Sequence, residues 1–223
     1  MAKVRRANGR PAIASPLGAH LRRERGRLGL SLRELARRLD VSPSLVSQIE
    51  TDKIQPSVGT LYAMVRELGI SFDDVFAPPP KEAGSRAQAQ PKRRAPGAID
   101  EQGSVTKGFV QRAHDRRALE LESGVRWERL TAWNDPDVEF LHATYEVGGA
   151  SSADGTLVRH NGREFGTVIN GRLGVTVGFE EYVLEPGDSI SFESSIPHRL
   201  HNDGSEAVNA IWVVLGRYQD DRK

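Results

Sequence analysis

Ser31–Leu61, SLRELARRLDVSPSLVSQIETDKIQPSVGTL, reads as two short helices joined by a tight turn. The second helix carries Ser44, Ser47 and Gln48 on its outer face. Short polar side chains there let a helix enter the major groove of double-stranded DNA, where each base pair shows a distinct set of donors and acceptors. A second chemical group stands far downstream: His160, Glu164 and His198. Two imidazoles and a carboxylate are the ligand types of a facial triad for Fe(II), or of a zinc site that keeps an open position. The same groups also suit direct contact with an organic effector, or mutual hydrogen bonding inside a core. Ligand type and number alone leave these readings open.

The elements that must position these residues differ between the two halves. From Pro16 to Phe76 apolar residues recur at helical spacing: Leu17, Leu21 and Leu28; Leu32, Leu35, Ala36 and Leu39; Leu45, Val46 and Ile49; then Val58, Leu61, Met64, Val65 and Leu68. Ser31 with Glu34 forms a capping box. Ser42 followed by Pro43 places an N-cap before a proline at the first helical position. Gly69 ends a fourth helix. A short fifth helix is expected from Ser71 to Phe76, folding Phe72, Val75 and Phe76 back onto the bundle. Ala36 supplies the small residue where two helices cross, and Asp40 occupies a turn position that needs positive φ.

From about residue 105 to 218 the period becomes two. Val138–Val147 alternates in part, and Ala210–Leu215 is a continuous apolar strand. Asn170-Gly171 lies between two apolar runs, a strong hairpin signal. Pro186-Gly187-Asp188 and Asn202-Asp203-Gly204 mark two further turns. Short strands with regular turns indicate a β-sandwich or barrel. Between the halves, residues 77–104 are Pro, Ala, Gln, Ser and charge, with almost nothing to bury, and read as a linker. That composition argues against rigid coupling of the halves, unless Val105–Leu121 packs between them. Residues 1–15, with Lys3, Arg5, Arg6 and Arg10, read as a flexible basic tail.

Composition bounds the function. Residues 1–95 carry 18 Lys+Arg against 9 Asp+Glu, a balance of +9, whereas residues 96–223 carry 13 against 21, a balance of −8. The overall charge of +1 therefore hides a basic half suited to a polyanion. There are no cysteines, which excludes disulfides, thiol redox sensing and cysteine-based zinc sites. No apolar run approaches the roughly 20 residues that span a bilayer. No apolar stretch follows the basic N-terminus as in a secretory signal. No membrane role is expected, and the cytoplasm is the default compartment.

Ser31–Leu68, above all S-P-S-L-V-S-Q-I-E followed by P-S-V-G-T-L, resembles the XRE (Cro/repressor-like) helix-turn-helix family. The resemblance implies that Ser44–Thr51 is the recognition helix, with Gln48 reading adenine and Ser44 and Ser47 making lighter contacts. It assigns Arg33, Ser42 and Lys53 to phosphates, and Glu50 to a structural pairing inside the bundle. Residues 138–215 resemble a cupin, a double-sheet β-barrel. His160-x3-Glu164-x6-Gly171 and Pro186-Gly187-Asp188 to Pro197-His198 carry that likeness. Val158 stands where the family usually has a further histidine. His160, Glu164 and His198 therefore remain as the implied metal ligands, for Zn, Fe or Ni. Val158 is a candidate ligand contact. His142, on strand parity with Phe140 and Thr144, is another.

These observations define a two-domain α + β chain. A basic tail at 1–15 precedes a five-helix helix-turn-helix domain at 16–76; a linker at 77–104 leads to a cupin domain at 105–218. The expected function is sequence-specific transcription regulation, not catalysis. The partners would be a DNA operator and a small-molecule effector sensed in the cupin domain, and the protein would be a homodimer. The competing class is a cupin mononuclear-iron oxidase or epoxidase, some of which carry a similar N-terminal helical domain.

Overall fold

The computed structural model describes residues 17–70, 75–76, 109–133, 135, 137–152 and 154–216. The expected basic tail, the linker and most of the expected fifth helix lie outside the described residues. Val75 and Phe76 are described, and both are buried in the helical core.

Among the described residues, the N-terminal domain holds four helices: α1 (Leu17–Arg27), α2 (Leu32–Arg38), α3 (Pro43–Glu50) and α4 (Val58–Leu68). Their ends follow local chemistry. The hydroxyls of Ser31, Ser42 and Ser57 accept from the backbone N–H groups of Glu34, Leu45 and Thr60. Each such cap contributes about 1 kcal/mol. The capping box at Ser31 is half made: the Glu34 carboxylate pairs instead with Arg37 and Arg38 on the next turn. Gly69 ends α4 at φ +60°, and Asp40 takes φ +54° in the turn between α2 and α3. Leu17, Leu21, Leu35, Ala36, Val46, Ile49, Val58, Leu61, Met64, Val65 and Leu68 are buried together. Leu28 departs from expectation: it follows the end of α1 and is exposed.

Among the described residues, a 3-10 turn at Ala113–Asp115 is followed by nine strands: β1 (Ala118–Leu121), β2 (Val125–Arg129), β3 (Val138–Tyr145), β4 (Arg163–Asn170), β5 (Leu173–Val177), β6 (Glu180–Leu184), β7 (Ser189–Glu193), β8 (His198–His201) and β9 (Val208–Leu215). They form a six-stranded sheet, β1-β2-β3-β9-β4-β7, and a three-stranded sheet, β6-β5-β8. The strand pairs are antiparallel. Leu141, Val168 and Val214 from the large sheet share a core with Leu173, Val175 and Leu200 from the small one.

Asn170-Gly171 does not close a hairpin. β4 is already paired on both sides, with β9 and β7, so the chain turns at Gly171 (φ +78°) into the other sheet. The turns at Pro186-Gly187-Asp188 and Asn202-Asp203-Gly204 likewise pass from the small sheet to the large one. β9 alternates buried and half-buried residues, and its continuous apolar text reflects a central position between β3 and β4.

The two domains touch directly. The Glu122 N–H donates to the Pro56 carbonyl at 3.1 Å, and the Gly59 N–H to the Ser151 carbonyl at 3.4 Å. Arg117 Nη1 donates to the Phe76 carbonyl at 3.0 Å. The loose attachment suggested by the text of residues 77–104 is thus supplemented by contacts that no linker composition could reveal.

Candidate functional site

Two sites emerge, one on each domain. On the first, α3 buries Val46, Ile49 and Glu50 and exposes Ser44 and Gln48, with Ser47 half-buried beside them. Arg33 on α2 and Lys53 just beyond α3 are exposed. Ser42 caps α3: its oxygen accepts from the Leu45 N–H at 3.1 Å, and its hydroxyl hydrogen remains a donor for an outside acceptor. Glu50 is pinned from within the bundle. Arg25 Nε and Nη2 reach its two oxygens at 2.6 and 2.8 Å, while Arg25 Nη1 donates to the Leu30 carbonyl at 2.7 Å. This bidentate pair ties α1 to the end of α3. Asp52 closes the same corner, accepting from the Gly18 N–H at 2.8 Å.

The second site is a cavity between the sheets. His160, Glu164 and His198 meet there, with one ligand atom from each lying within 4.8 Å of the others. His160 Nε2 is 2.9 Å and His198 Nε2 3.1 Å from the same oxygen, Glu164 Oε1. The other nitrogen of each ring faces a backbone carbonyl: His160 Nδ1 lies 2.9 Å from Asn161 O, and His198 Nδ1 lies 2.8 Å from Ile196 O. A carbonyl only accepts, so each Nδ1 carries a hydrogen, and each Nε2 is aimed at the carboxylate. Three possible ligand atoms converge on one point, held together by protons on the rings or by a cation. Carbonyl-oriented imidazoles are also the usual outer support of metal-binding histidines.

Glu164 projects inward from β4, as do Gly166 and Val168. Its second oxygen accepts from Trp212 Nε1 at 2.7 Å. Gly166 makes this bond possible: it pairs with Trp212 across β4 and β9, and any Cβ there would collide with the indole. Burial pushes the Glu164 carboxyl up. The hydrogen bonds and charges of His160 and His198 more than offset this and hold it well below the usual carboxylate range. Burial, reinforced by the Glu164 charge, pushes the Tyr145 phenol up, so it stays protonated beside the triad.

Val158 lines the cavity, exchanging backbone hydrogen bonds of 2.9 Å with His198. His142 does not line it. The parity with Phe140 and Thr144 holds, but that is the outer face of β3; Glu139, Leu141, Ala143 and Tyr145 point inward. His142 Nδ1 instead lies 3.2 Å from Glu128 Oε2. Sequence reasoning missed Trp212 as the donor that orients Glu164, and missed Val58 and Tyr62, which reach the cavity from the helical domain. A tryptophan paired with a glycine is a weak signal, and helical periodicity gives none for Tyr62.

The helix-turn-helix family model matches residues 21–75, and the cupin domain model matches residues 141–214. The HTH-type transcriptional regulator PuuR of Escherichia coli (strain K12) is 26% identical over 196 residues, covering 87% of this chain and 91% of that protein. The HTH-type transcriptional regulator SutR of the same organism is 24% identical over 197 residues, covering 88% and 93%. A crystal structure of an HTH_3 family transcriptional regulator from Vibrio cholerae aligns with TM-score 0.58 at 19% identity, over 91% of this chain and 96% of that one. The last match concerns the fold.

Proposed function

We infer that this chain, which joins an XRE-type helix-turn-helix domain to a cupin domain, is a sequence-specific DNA-binding transcription regulator whose double-sheet barrel senses a small molecule. One observation carries the DNA reading: α3 presents exposed Ser44 and Gln48 beside the exposed basic residues Arg33 and Lys53, over a fully packed inner face. Gln48 reads adenine, Ser44 and Ser47 make lighter contacts, and Arg33, Ser42 and Lys53 hold phosphates. The functions that the E. coli relatives' names state support this reading.

The barrel holds a divalent metal through His160 Nε2, Glu164 Oε1 and His198 Nε2. The buried ligand atoms that converge there support this, and imidazole with carboxylate suits Zn, Fe or Ni. A bound metal would supply a coordination position for a ligand. The protein acts as a homodimer. Half-exposed Phe140 and Phe165 flank Val213 in register on the outer face of the large sheet, an apolar row suited to a second copy. Two readers then match a roughly palindromic operator.

Genome-wide occupancy of the native protein, followed by affinity at several salt concentrations on a recovered site, tests the DNA reading. A few sharp sites and a log–log salt slope of several units are expected. Absence of enrichment, or affinity indifferent to salt, refutes it. The facial triad favours one other reading, a mononuclear-iron oxidase, which predicts oxygen uptake by iron-loaded protein.

A further inference from the structure

The helical domain supplies part of the wall of the cavity between the sheets. Val58 and Tyr62 of α4 form part of its lining. The Tyr62 ring centre lies 5.0 Å from that of His160 and 5.5 Å from that of Trp127. Next to Val58, the helix backbone itself meets the wall. Gly59 has no side chain, and a Cβ there would stand 2.8 Å from Val158 Cγ1. Val158 is the position where the cupin pattern would place another histidine, and here its apolar side chain packs against α4. Elsewhere on α4, Leu61, Met64, Val65 and Leu68 are buried in the helical core. One helix is therefore structural in its own domain and a wall of the other domain's cavity.

The space between these walls is about 20 Å3, enough for one water or a cation. Pockets for organic ligands are larger by an order of magnitude, roughly 300–1,000 Å3. Among the described residues no Lys or Arg lines the cavity; apart from the triad its walls are mostly aliphatic and aromatic.

We propose that the first turns of α4 are a removable wall of this site, with Tyr62 as the residue that an effector displaces. A cation fits with the wall in place. An effector of several non-hydrogen atoms enters only when α4 withdraws from Val158 and His160. The chemistry selects an uncharged, largely apolar molecule with one donor atom for the cation. Withdrawal carries α3 with it, because α1 packs against both α3 and α4 and joins them. The effector thus binds one interdomain arrangement and not the other, which is the differential affinity that a ligand-driven shift requires. This inference rests on the reading of His160, Glu164 and His198 as a ligand site.

The absence of native cysteines permits a direct test. A Cβ at position 59 would stand 2.8 Å from the Val158 side chain, so full-length G59C/V158C should form a disulfide on oxidation that locks the wall shut. Imidazole is the probe of ligand entry, read from the visible spectrum of cobalt-loaded protein. Acrylamide quenching of the buried Trp127 and Trp212, in a Trp133→Phe background, reads entry without any metal. The expected result is imidazole affinity at least tenfold weaker, and quenching at least threefold lower, in the oxidised protein, with both restored by reductant. Equal imidazole affinity or equal quenching in the two states, or failure of the bridge to form, overturns the proposal. If cobalt does not bind the reduced protein while quenching still follows the disulfide, the metal reading fails and the removable wall stands.

Discussion

Replacing Trp212 with Phe tests how the triad is held. The indole N–H donates to Glu164 Oε2 at 2.7 Å, with both side chains buried. Phenylalanine keeps an aromatic ring in the core and removes the donor, so a buried carboxylate oxygen loses its partner. A hydrogen bond to a charged group contributes about 1.5–3 kcal/mol net. At about 1.4 kcal/mol per tenfold, that corresponds to roughly 10- to 100-fold in an equilibrium constant. The range agrees with the loss of metal affinity, about 10- to 100-fold, seen when outer supports of metal ligands are removed. The assay is cobalt binding by competition with a chelator, alongside thermal unfolding of the metal-free protein. Trp212→Phe should weaken cobalt by at least tenfold while retaining one site per chain, whereas His160→Ala should abolish the site. Cobalt affinity within twofold of the wild type would refute the idea that the indole holds Glu164 in place for a cation.

Gly166→Ala should reproduce the cobalt defect of Trp212→Phe without altering the donor, because the new Cβ displaces the ring; unchanged affinity would show that the strand yields instead. Gln48→Ala should relax preference at one base position of the operator by about 1–3 kcal/mol, read by competition between single-base operator variants. A uniform loss across all variants would place Gln48 on the backbone. Glu50→Ala leaves Arg25 largely buried without its carboxylate, and should destabilise the helical domain by about 3 kcal/mol in denaturant unfolding. A change below about 0.5 kcal/mol would assign the pair little structural weight.

The helical domain was legible because its signals are local. A serine cap reaches three residues along the chain, and the turn at Asp40 is a matter of one φ angle. The buried sets on α2, α3 and α4 follow from helical spacing, and Leu28 failed only because α1 stops before it. The residue types of the triad were equally plain, since the spacing from His160 to Glu164 and the Pro197-His198 pair stand in the text. Strand parity correctly grouped His142 with Phe140 and Thr144. It could not say which face of β3 is inside, because a period of two is the same from either side.

What remained hidden depends on residues distant in sequence. Asn170-Gly171 is a turn in any reading, but whether it makes a hairpin depends on β4 having both edges occupied by β9 and β7. Trp212 finds Glu164 across 48 positions because Gly166 leaves room for its ring. Tyr62 reads as one more residue of an amphipathic helix until the domains come together and set it 5.0 Å from His160. Local spacing specifies which faces are apolar and which residues can ligate. Which faces meet is settled by packing between separate elements, and that packing sets Tyr62 of the helical domain against His160 of the barrel.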